Sequence, residues 1–547
     1  MKILFMNPAL NDTTQATHLY PSTFLTLGSM LGSQPRMGLG PVRGVGVAIE
    51  TIHGIRSDTG GMTTQITIAE LTAALKSHQP DVVAMSVFDD NLLDVKWVCQ
   101  KLRELNPDLK IIIGGHLATL LPITTLNETG ADLLLRGEAD LSIRELMEAL
   151  VSGGEGSSLL GIPGLFVRDH SGEILSSSAS SEIPILRSEY LEKITYDMEL
   201  LERSIGCAST VSIVGSRGCG FGGCSFCSVN IQQKLRRISD ERTIEILKDL
   251  YQFVSVNGRS HIMFGMSDPA FGGTKKGLIR LLDKMCGSFD ASHIGVNLAV
   301  DQLLESGKKG GRKPSLEIIQ KLVYAGISRA ELGVESFSDD LLNRIKCGRY
   351  TGEEASNVII ELARAGIGIT LDSILTDFRS IMPELRTHIK LMLKTIMRVG
   401  ELISDRFHIS DPNQYILPFP GTRYYNEMLA AHNEPDWASG KIKGNASIDS
   451  GYPYHGLLVG IPDAISDTVE LGRIAVALDA VNFHHDHGQL IRAGLADDRL
   501  DWFCDQVMYA PESVILSFLL LQDCPSKFII DHYTEKKKTV PLPLLGK

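Results

Sequence analysis

Three cysteines lie within one short, glycine-rich stretch near the middle of the chain. Cys219, Cys224 and Cys227 are spaced C-x4-C-x2-C, with glycines at positions 218, 220, 222 and 223. Glycine allows a short loop to fold back, so the three thiolates can face a single point. Three thiolates on a four-iron cluster leave one iron open to the amino and carboxylate groups of S-adenosylmethionine. The spacing therefore predicts a catalytic [4Fe–4S] cluster.

Two other kinds of site also use several cysteines. A structural zinc ion has four ligands, and the nearest additional candidate is Cys207, upstream of the cluster. A ferredoxin-type cluster would likewise need a fourth cysteine and has no need of a barrel. The catalytic cluster is favoured because the cysteines directly follow a predicted strand.

Strand-like and helix-like segments alternate around and after the cysteines. Thr351 and Glu354 form a T-x-x-E capping box that starts a helix running towards Gly366. Six βα units predict a (β/α)6 partial TIM barrel, with its chemistry at the carboxyl ends of the strands. The candidate strands are 210–215, 261–265, 294–300, 329–335, 368–375 and 407–417.

The first 150 residues show a similar alternation, which predicts a doubly wound parallel sheet with helices on both faces. Ser86 ends one apolar strand, and Gly114 and Gly115 end another. A serine and a diglycine at the carboxyl ends of neighbouring strands suit a nucleotide-like ligand across the sheet edge. Glycine at that place lets the ligand approach the backbone closely.

The rest of the chain is less regular. Residues 151–205 contain Gly- and Ser-rich stretches and predict a linker with a small hairpin at 165–175. Residues 431–547 predict a mostly helical C-terminal domain without a recognisable motif. The sequence thus predicts an α/β protein with parts at 1–150, 151–205, 206–430 and 431–547.

Composition excludes several classes of function. A net charge of −12 over 547 residues argues against charge-driven binding to nucleic acid or to an anionic membrane. No apolar run is long enough to span a bilayer, and the N-terminus reads as a strand rather than a signal peptide. Nine scattered cysteines do not suggest a disulfide framework. A cytoplasmic location is expected.

The cysteine loop and the six βα units resemble the radical S-adenosylmethionine superfamily, whose usual motif is C-x3-C-x2-C. Phe226 takes the place of the family's aromatic residue, which packs near the adenine, although the first gap here is one residue longer. The resemblance implies that Ser267 and Asp268 bind the amino group of S-adenosylmethionine. It also implies that Glu335 and Ser336 approach the methionyl carboxylate and the ribose, the alternative being an ordinary strand-end turn.

The first domain resembles the cobalamin-binding domain of class B radical S-adenosylmethionine enzymes. The family's S-x-L…GG pattern corresponds to Ser86-Val87-Phe88 and Gly114-Gly115. The histidine that ligates cobalt from below in the D-x-H-x-x-G form is replaced here by Pro41. The resemblance implies cobalamin as a cofactor without a histidine on its lower face. The alternative is a sheet that has lost its cofactor and serves as a scaffold.

The resemblance implies a cobalamin-dependent methyltransferase that acts on a carbon of a small molecule or peptide. One S-adenosylmethionine would methylate cob(I)alamin, a second would yield a 5′-deoxyadenosyl radical, and methylcobalamin would methylate the substrate radical. An external electron donor such as flavodoxin or ferredoxin is implied. The alternatives are a cyclisation or rearrangement without methyl transfer, and a non-enzymatic iron–sulfur or corrinoid-binding protein. The histidines His484, His485 and His487 suggest an exposed or substrate-pocket loop rather than a metal site.

Overall fold

The computed structural model describes most of the chain up to residue 442. The described residues are 1–9, 19–20, 22–31, 42–53, 55–56, 64–65, 68–88, 91–176, 183–194, 196–206, 208–229, 234–259, 261–289, 293–307, 311–374, 377, 379–403, 406–409, 416, 419–431, 435–436 and 441–442. Of the predicted C-terminal domain at 431–547, the structure therefore describes only residues 431, 435–436 and 441–442, and the three histidines at 484, 485 and 487 lie outside the described residues.

The strands of these residues are β1 (Lys2–Ala9), β2 (Leu19–Tyr20), β3 (Gly46–His53), β4 (Ile55–Arg56), β5 (Thr64–Gln65), β6 (Val82–Ser86), β7 (Lys110–Gly114), β8 (Leu133–Leu135), β9 (Leu165–Arg168), β10 (Ile174–Ser176), β11 (Thr210–Ile213), β12 (Ser216–Arg217), β13 (Arg236–Arg237), β14 (Met263–Met266), β15 (Ile294–Leu298), β16 (Leu304–Ser306), β17 (Arg312–Pro314), β18 (Ile327–Glu335), β19 (Gly368–Ser373), β20 (Phe407–Ile409), β21 (Pro435–Asp436) and β22 (Lys441–Ile442).

The helices are α1 (Ser22–Leu31), α2 (Ile68–His78), α3 (Leu92–Leu105), α4 (His116–Leu120), α5 (Pro122–Thr129), α6 (Ser142–Val151), α7 (Ser188–Leu191), α8 (Met198–Ser204), α9 (Asp240–Val256), α10 (Lys275–Met285), α11 (Leu316–Tyr324), α12 (Asp339–Lys346), α13 (Gly352–Arg364), α14 (Met382–Ile403) and α15 (Arg423–Ala431). No helix in the described ranges is long and apolar enough to cross a membrane.

The chain divides into two compact units. The first comprises the residues up to Gly222, then Cys227–Gly273 and the segment from Pro418. The second comprises Gly223–Phe226 and Thr274–Leu417, together with residues that lie outside the described ranges.

The first unit contains a sheet with the strand order β10-β9-β8-β7-β6-β1-β3. The five neighbouring strands β3, β1, β6, β7 and β8 pair in parallel, as their apolar and nearly continuous sequences predict. Val83, Ile111 and Leu134 from neighbouring strands are almost fully buried with Val95 and Leu102 of α3. This core holds the carboxyl ends of β6 and β7 at one edge.

The segment predicted as a linker contributes two strands to that sheet. The hairpin predicted at 165–175 forms as β9 and β10, which pair antiparallel with each other. Strand β9 also pairs antiparallel with β8. The segment between 151 and 205 therefore belongs in part to the first sheet.

The first unit also holds two of the six predicted barrel strands. Strand β11 pairs in parallel with β14 on one side and with β2 on the other. Directly after β11 the chain forms the short antiparallel hairpin β12–β13, in which Arg217 lies opposite Arg236. The loop between β12 and β13 carries the three cysteines in sequence.

The second unit holds the other four predicted barrel strands. Strands β15, β18, β19 and β20 follow one another in this order and pair in parallel. The predicted capping box is present at the start of α13. The amide of Glu354 donates to Thr351 Oγ1 at 3.2 Å, and the amide of Thr351 donates to Glu354 Oε2 at 2.9 Å. All six strands predicted from the sequence are thus present.

Candidate functional site

Ser86 and the diglycine meet at the carboxyl edge of the first sheet. Ser86 is the register partner of Gly114, and the amide of Val87 donates to Gly114 O at 2.8 Å. Gly115 has φ +98°, and a Cβ atom built there would lie 2.8 Å from Val87 N and closer still to Ser86 Oγ. A side chain at this position would clash with the turn after β6, so this edge requires glycine.

An exposed apolar side chain follows the end of β6. Phe88 is the second residue after β6, and its side chain is 45% exposed. Its amide donates to Asn91 Oδ1 at 2.8 Å, and Asn91 Nδ2 donates to Ser86 O at 3.1 Å. The turn after β6 is therefore fixed. A sheet edge lined by glycine backbone and followed by an exposed ring is compatible with a large, flat cofactor.

The cysteine loop begins and ends at the hairpin β12–β13. In the first unit, Cys219 and Cys227 are both half-buried thiols that form no disulfide. The amide of Phe221 donates to Cys219 Sγ at 3.4 Å. Soft thiolate donors of this kind suit an iron–sulfur cluster.

Two arginines at the base of this loop are clamped by carboxylates of the first domain. Arg217 makes a two-pronged contact with Asp140 at 2.7 and 2.9 Å and also lies 3.1 Å from Glu138. Arg236 contacts both oxygens of Glu138 at 2.7 and 2.8 Å. Burial would lower the pKa of Arg217, but Asp140 and Glu138 outweigh it and hold that pKa above its ordinary value. We call these four residues the base clamp.

A second contact joins the sheet edge to the cysteine loop. His116 directly follows Gly115, and its Nε2 is hydrogen-bonded to Ser228 Oγ at 2.6 Å. Ser228 is the residue after Cys227 and is buried. The ring of Phe419 lies edge-on to the His116 ring, with centroids 4.9 Å apart. Burial lowers the pKa of His116, so its neutral form is favoured.

Asp268, which the sequence predicts to bind the amino group of S-adenosylmethionine, is hydrogen-bonded to backbone amides of this chain. Its Oδ1 accepts hydrogen bonds from the amides of Gly215 and Ser216, both at 2.7 Å. It is 2% exposed, and burial raises its pKa to about 6 although those two amides act in the opposite direction. Ser267 is exposed and donates to Ile213 O at 3.0 Å. Asp268 thus fixes the turn that leads into the cysteine loop.

The raised pKa of Asp268 predicts a distinctive pH dependence. Between about pH 4 and pH 6 the folded protein holds a proton that the unfolded chain has released, so stability falls as pH rises. Asp268→Asn keeps an acceptor for both amides and removes this ionisation. Thermal unfolding of the apoprotein from pH 4 to 8 should show the variant gaining roughly 3 kcal/mol over the wild type, most of it by pH 6. Parallel pH profiles for the two proteins would contradict this.

In the second unit, the turn around Cys224 rests against the end of α12. The amide of Ser225 donates to Ile345 O at 2.8 Å. Lys346 is buried, and its Nζ lies 2.9 Å from Glu335 Oε1 and donates to Gly333 O at 2.5 Å. Burial would lower the pKa of Lys346, but Glu335, Tyr350 and Cys224 raise it. The positive charge of Lys346 therefore interacts with Cys224, one of the three predicted cluster ligands.

Cys347, which follows Lys346, ends α12 in the left-handed conformation with φ +56°. Its thiol donates to Gly223 O at 3.2 Å, next to Cys224 in sequence. This contact supports the turn that carries Cys224.

Glu335 and Ser336, predicted to approach S-adenosylmethionine, have different environments. Glu335 ends β18 with φ +61° and is held by Lys346. Ser336 is fully buried, and its Oγ is 2.9 Å from Nδ1 of His388. Nδ1 also accepts from the amide of Phe337 at 3.0 Å, and burial lowers the pKa of His388 to about 4. Phe226, the predicted adenine neighbour, is half-buried.

A polar row that the sequence analysis missed crosses the four strands of the second unit. Its members are register partners on successive strands and alternate with buried apolar residues. Desolvation raises the pKa of Glu331 in this row and outweighs the opposing effect of Arg329. The period-two alternation of polar and apolar residues could have revealed the row. The row consists of Asn297, Glu331, Thr370 and His408.

Single metal ions have no evident site in the described ranges. There, no three His, Cys, Asp or Glu side chains are grouped closely enough to hold one metal ion. Cys207, the candidate fourth ligand of a zinc site, lies outside those ranges.

Two protein families match this chain. Residues 47–147 match the B12 binding domain, and residues 213–390 match the radical SAM superfamily. The first match contains Ser86, Gly114 and Gly115, and the second contains the three cysteines.

Two curated relatives have different activities in their names. An uncharacterised methyltransferase of Pyrococcus horikoshii is 28% identical over 383 residues, which cover 68% of this chain and 74% of the relative. An anaerobic magnesium-protoporphyrin IX monomethyl ester cyclase of Rubrivivax gelatinosus is 23% identical over 292 residues, or 52% of this chain and 49% of the cyclase.

Two solved structures share the fold. TsrM from Kitasatospora setae, a radical S-adenosylmethionine methyltransferase solved with cobalamin and a [4Fe–4S] cluster, has a TM-score of 0.58 at 15% identity. The match covers 89% of this chain and 92% of TsrM. OxsB, solved with aqua-cobalamin and S-adenosylmethionine, has a TM-score of 0.57 at 15% identity, covering 98% of this chain and 75% of OxsB. These similarities confirm the predicted fold class, a doubly wound α/β domain followed by a partial barrel.

Proposed function

This chain belongs to the cobalamin-dependent radical S-adenosylmethionine enzymes, and we propose that it transfers a methyl group to a carbon of a small molecule or peptide. The family assignment rests on a B12 binding domain and a radical SAM domain in one chain. The predicted cofactors, cobalamin, S-adenosylmethionine and a [4Fe–4S] cluster, agree with it. We set aside the non-enzymatic alternative because the chain contains a radical SAM domain and aligns with a relative named as a methyltransferase.

One observation carries the proposal. The residue after the diglycine, His116, is hydrogen-bonded to the residue after Cys227, Ser228. The edge suited to cobalamin and the loop suited to the cluster therefore adjoin within one unit. Methyl transfer between a corrinoid and a substrate radical requires such proximity. The named methyltransferase of P. horikoshii, which aligns over most of this chain, supports methyl transfer as the outcome.

We assign each cluster residue a role. Cys219, Cys224 and Cys227 hold the cluster, and the buried cation of Lys346 interacts with Cys224. When bound, the cluster supplies the electron that opens the sulfonium bond of S-adenosylmethionine, and cobalamin supplies the methyl carrier. An external donor such as flavodoxin or ferredoxin delivers the electron.

The contacts to the two organic cofactors are assigned from the sheet edge and the strand ends. Ser86, Gly114 and Gly115 receive cobalamin. Phe226, Ser267 and Glu335 contact S-adenosylmethionine, while the buried Asp268 and Ser336 fix the turns that present them. We assign the polar row of the second unit the role of orienting the substrate, because it supplies polar side chains on four successive strands.

A second candidate is a cyclisation or rearrangement in which cobalamin delivers no methyl group. The similarity to the magnesium-protoporphyrin IX monomethyl ester cyclase favours it. Its alignment covers a smaller share of this chain than that of the methyltransferase, so we rank it second.

Methyl-labelled S-adenosylmethionine separates the two candidates without knowledge of the substrate. Reduced protein loaded with cluster and cobalamin should place label in its extracted corrinoid and should also form 5′-deoxyadenosine. Formation of 5′-deoxyadenosine without label in the corrinoid would support the rearrangement and contradict methyl transfer. Cys224→Ala should abolish 5′-deoxyadenosine formation, whereas Cys286→Ala, at an exposed cysteine, should not.

A further inference from the structure

His116 links two places that the proposed function assigns to different cofactors. It is the first residue of α4 and directly follows Gly115, where a Cβ atom would clash with Ser86 and Val87. The amide of Leu117 donates to Val87 O at 3.0 Å, so the start of α4 is tied to the turn after β6. A change at the glycine edge therefore reaches the backbone that carries His116.

The other end of the link is fixed to the cysteine loop. Ser228 Oγ lies 2.6 Å from Nε2 of His116, and Ser228 is only 8% exposed. Since Ser228 adjoins Cys227, a shift of its side chain acts on the backbone that carries that thiolate. The edge-on ring of Phe419 restricts the imidazole, so a movement of α4 is passed on rather than absorbed by ring rotation.

The base clamp attaches the same loop to the first domain at a second place. Arg217 and Arg236 hold both strands of the hairpin at the start and end of the loop through short contacts to Glu138 and Asp140. The base is thus fixed, whereas the neighbourhood of Cys227 is joined to the sheet edge through His116. Two attachments of one loop to one domain provide a physical path between the two places.

We propose that His116 is a positioning residue that couples occupation of the cobalamin edge to occupation of the cluster loop through its hydrogen bond to Ser228. This inference rests on the proposed placement of cobalamin at Gly114 and Gly115. Coupling of this kind is reciprocal, so the cluster must change the affinity for cobalamin by the same factor as cobalamin changes the affinity for the cluster. One hydrogen bond limits that factor to about two- to tenfold.

The dissociation constant of hydroxocobalamin tests this, measured anaerobically by absorption titration of the full chain with and without its cluster. The wild type should bind cobalamin about two- to tenfold more tightly when the cluster is present. In His116→Phe, which keeps an aromatic ring against Phe419, and in Ser228→Ala, the ratio should fall to about one. His116→Gln, whose amide group reaches the position of Nε2, should restore it.

Three other outcomes are possible, and each contradicts a different part of the inference. A wild-type dissociation constant that does not depend on the cluster overturns the coupling while leaving the cobalamin site intact. Equal ratios in the wild type, His116→Phe and Ser228→Ala overturn the role of His116. Wild-type protein that binds no hydroxocobalamin in either form overturns the proposed cobalamin site together with the inference. Iron content, determined for each variant, shows whether its cluster is loaded.

Discussion

Gly115→Ala is expected to weaken cobalamin binding roughly 100-fold while leaving the chain folded. A methyl group at this position must adopt φ +98°, which costs on the order of 1–3 kcal/mol. It would also lie within 3 Å of both the amide nitrogen and the carbonyl oxygen of Val87. Because backbone atoms cannot rotate away, the edge between β6 and α4 must shift, and the proposed cobalamin site shifts with it.

Gly130→Ala provides a matched control for this change. Gly130 also has positive φ, +66°, but a Cβ atom there would meet nothing within 4 Å. Gly130→Ala forces a side chain into a positive φ without causing a clash. This variant should therefore lose about 1 kcal/mol of stability and bind cobalamin as the wild type does. Titration of both variants with hydroxocobalamin gives the comparison. Equal affinities in the two variants would show that the glycine edge is not the cobalamin site.

Asp140→Ala is expected to destabilise the protein by about 3–5 kcal/mol. The substitution removes the two-pronged partner of Arg217, a guanidinium whose side chain is 17% exposed. Glu138 remains within 3.1 Å of Arg217 but already holds Arg236. The charge of Arg217 is then incompletely neutralised at the base of the cysteine loop, so retention of iron should fall along with stability.

An exposed ion pair supplies the control for the base clamp. Glu361→Ala breaks the contact between Glu361 and Arg364, whose side chain is 61% exposed, and should cost no more than about 1 kcal/mol. Denaturant unfolding of the apoprotein measures the free energy of unfolding for Asp140→Ala and for Glu361→Ala.

A double variant tests the base clamp further. Replacing Asp140 by Leu and Arg217 by Met together should cost less stability than the sum of the two single replacements. A cost for Asp140→Ala as small as that of the control would mean that the clamp is not structural.

The strands and the capping box were predictable because their signals are local. Alternation of apolar residues located all six barrel strands, and Thr351 with Glu354 marked the start of α13 within four residues. The glycine edge was also predictable, since two glycines at the end of an apolar strand are typical of a close approach to the backbone. For Gly115, the structure supplies the reason in the atoms of Val87.

The contacts that join the site were not predictable, because their partners are far apart in sequence. His116 and Ser228 are separated by 112 positions, and Glu138 and Arg236 by 98. No period or motif relates such residues. The same holds for the hairpin at 165–176, whose pairing with β8 depends on the edge that the first sheet leaves available. Sequence reasoning assigned ligand contacts to Asp268 and Ser336, which stay predictions, and it did not foresee the hydrogen bonds of these residues to backbone amides and to His388.

The central claim is that one chain uses a cluster and a corrinoid together. The absorption spectrum of anaerobically purified protein, combined with determination of iron and corrinoid, tests it most directly. We expect one [4Fe–4S] cluster and one cobalamin per chain, with loss of the cluster bands alone in Cys224→Ala and loss of the corrinoid bands alone in Gly115→Ala. A wild-type protein that carries the cluster but takes up no corrinoid would contradict the account.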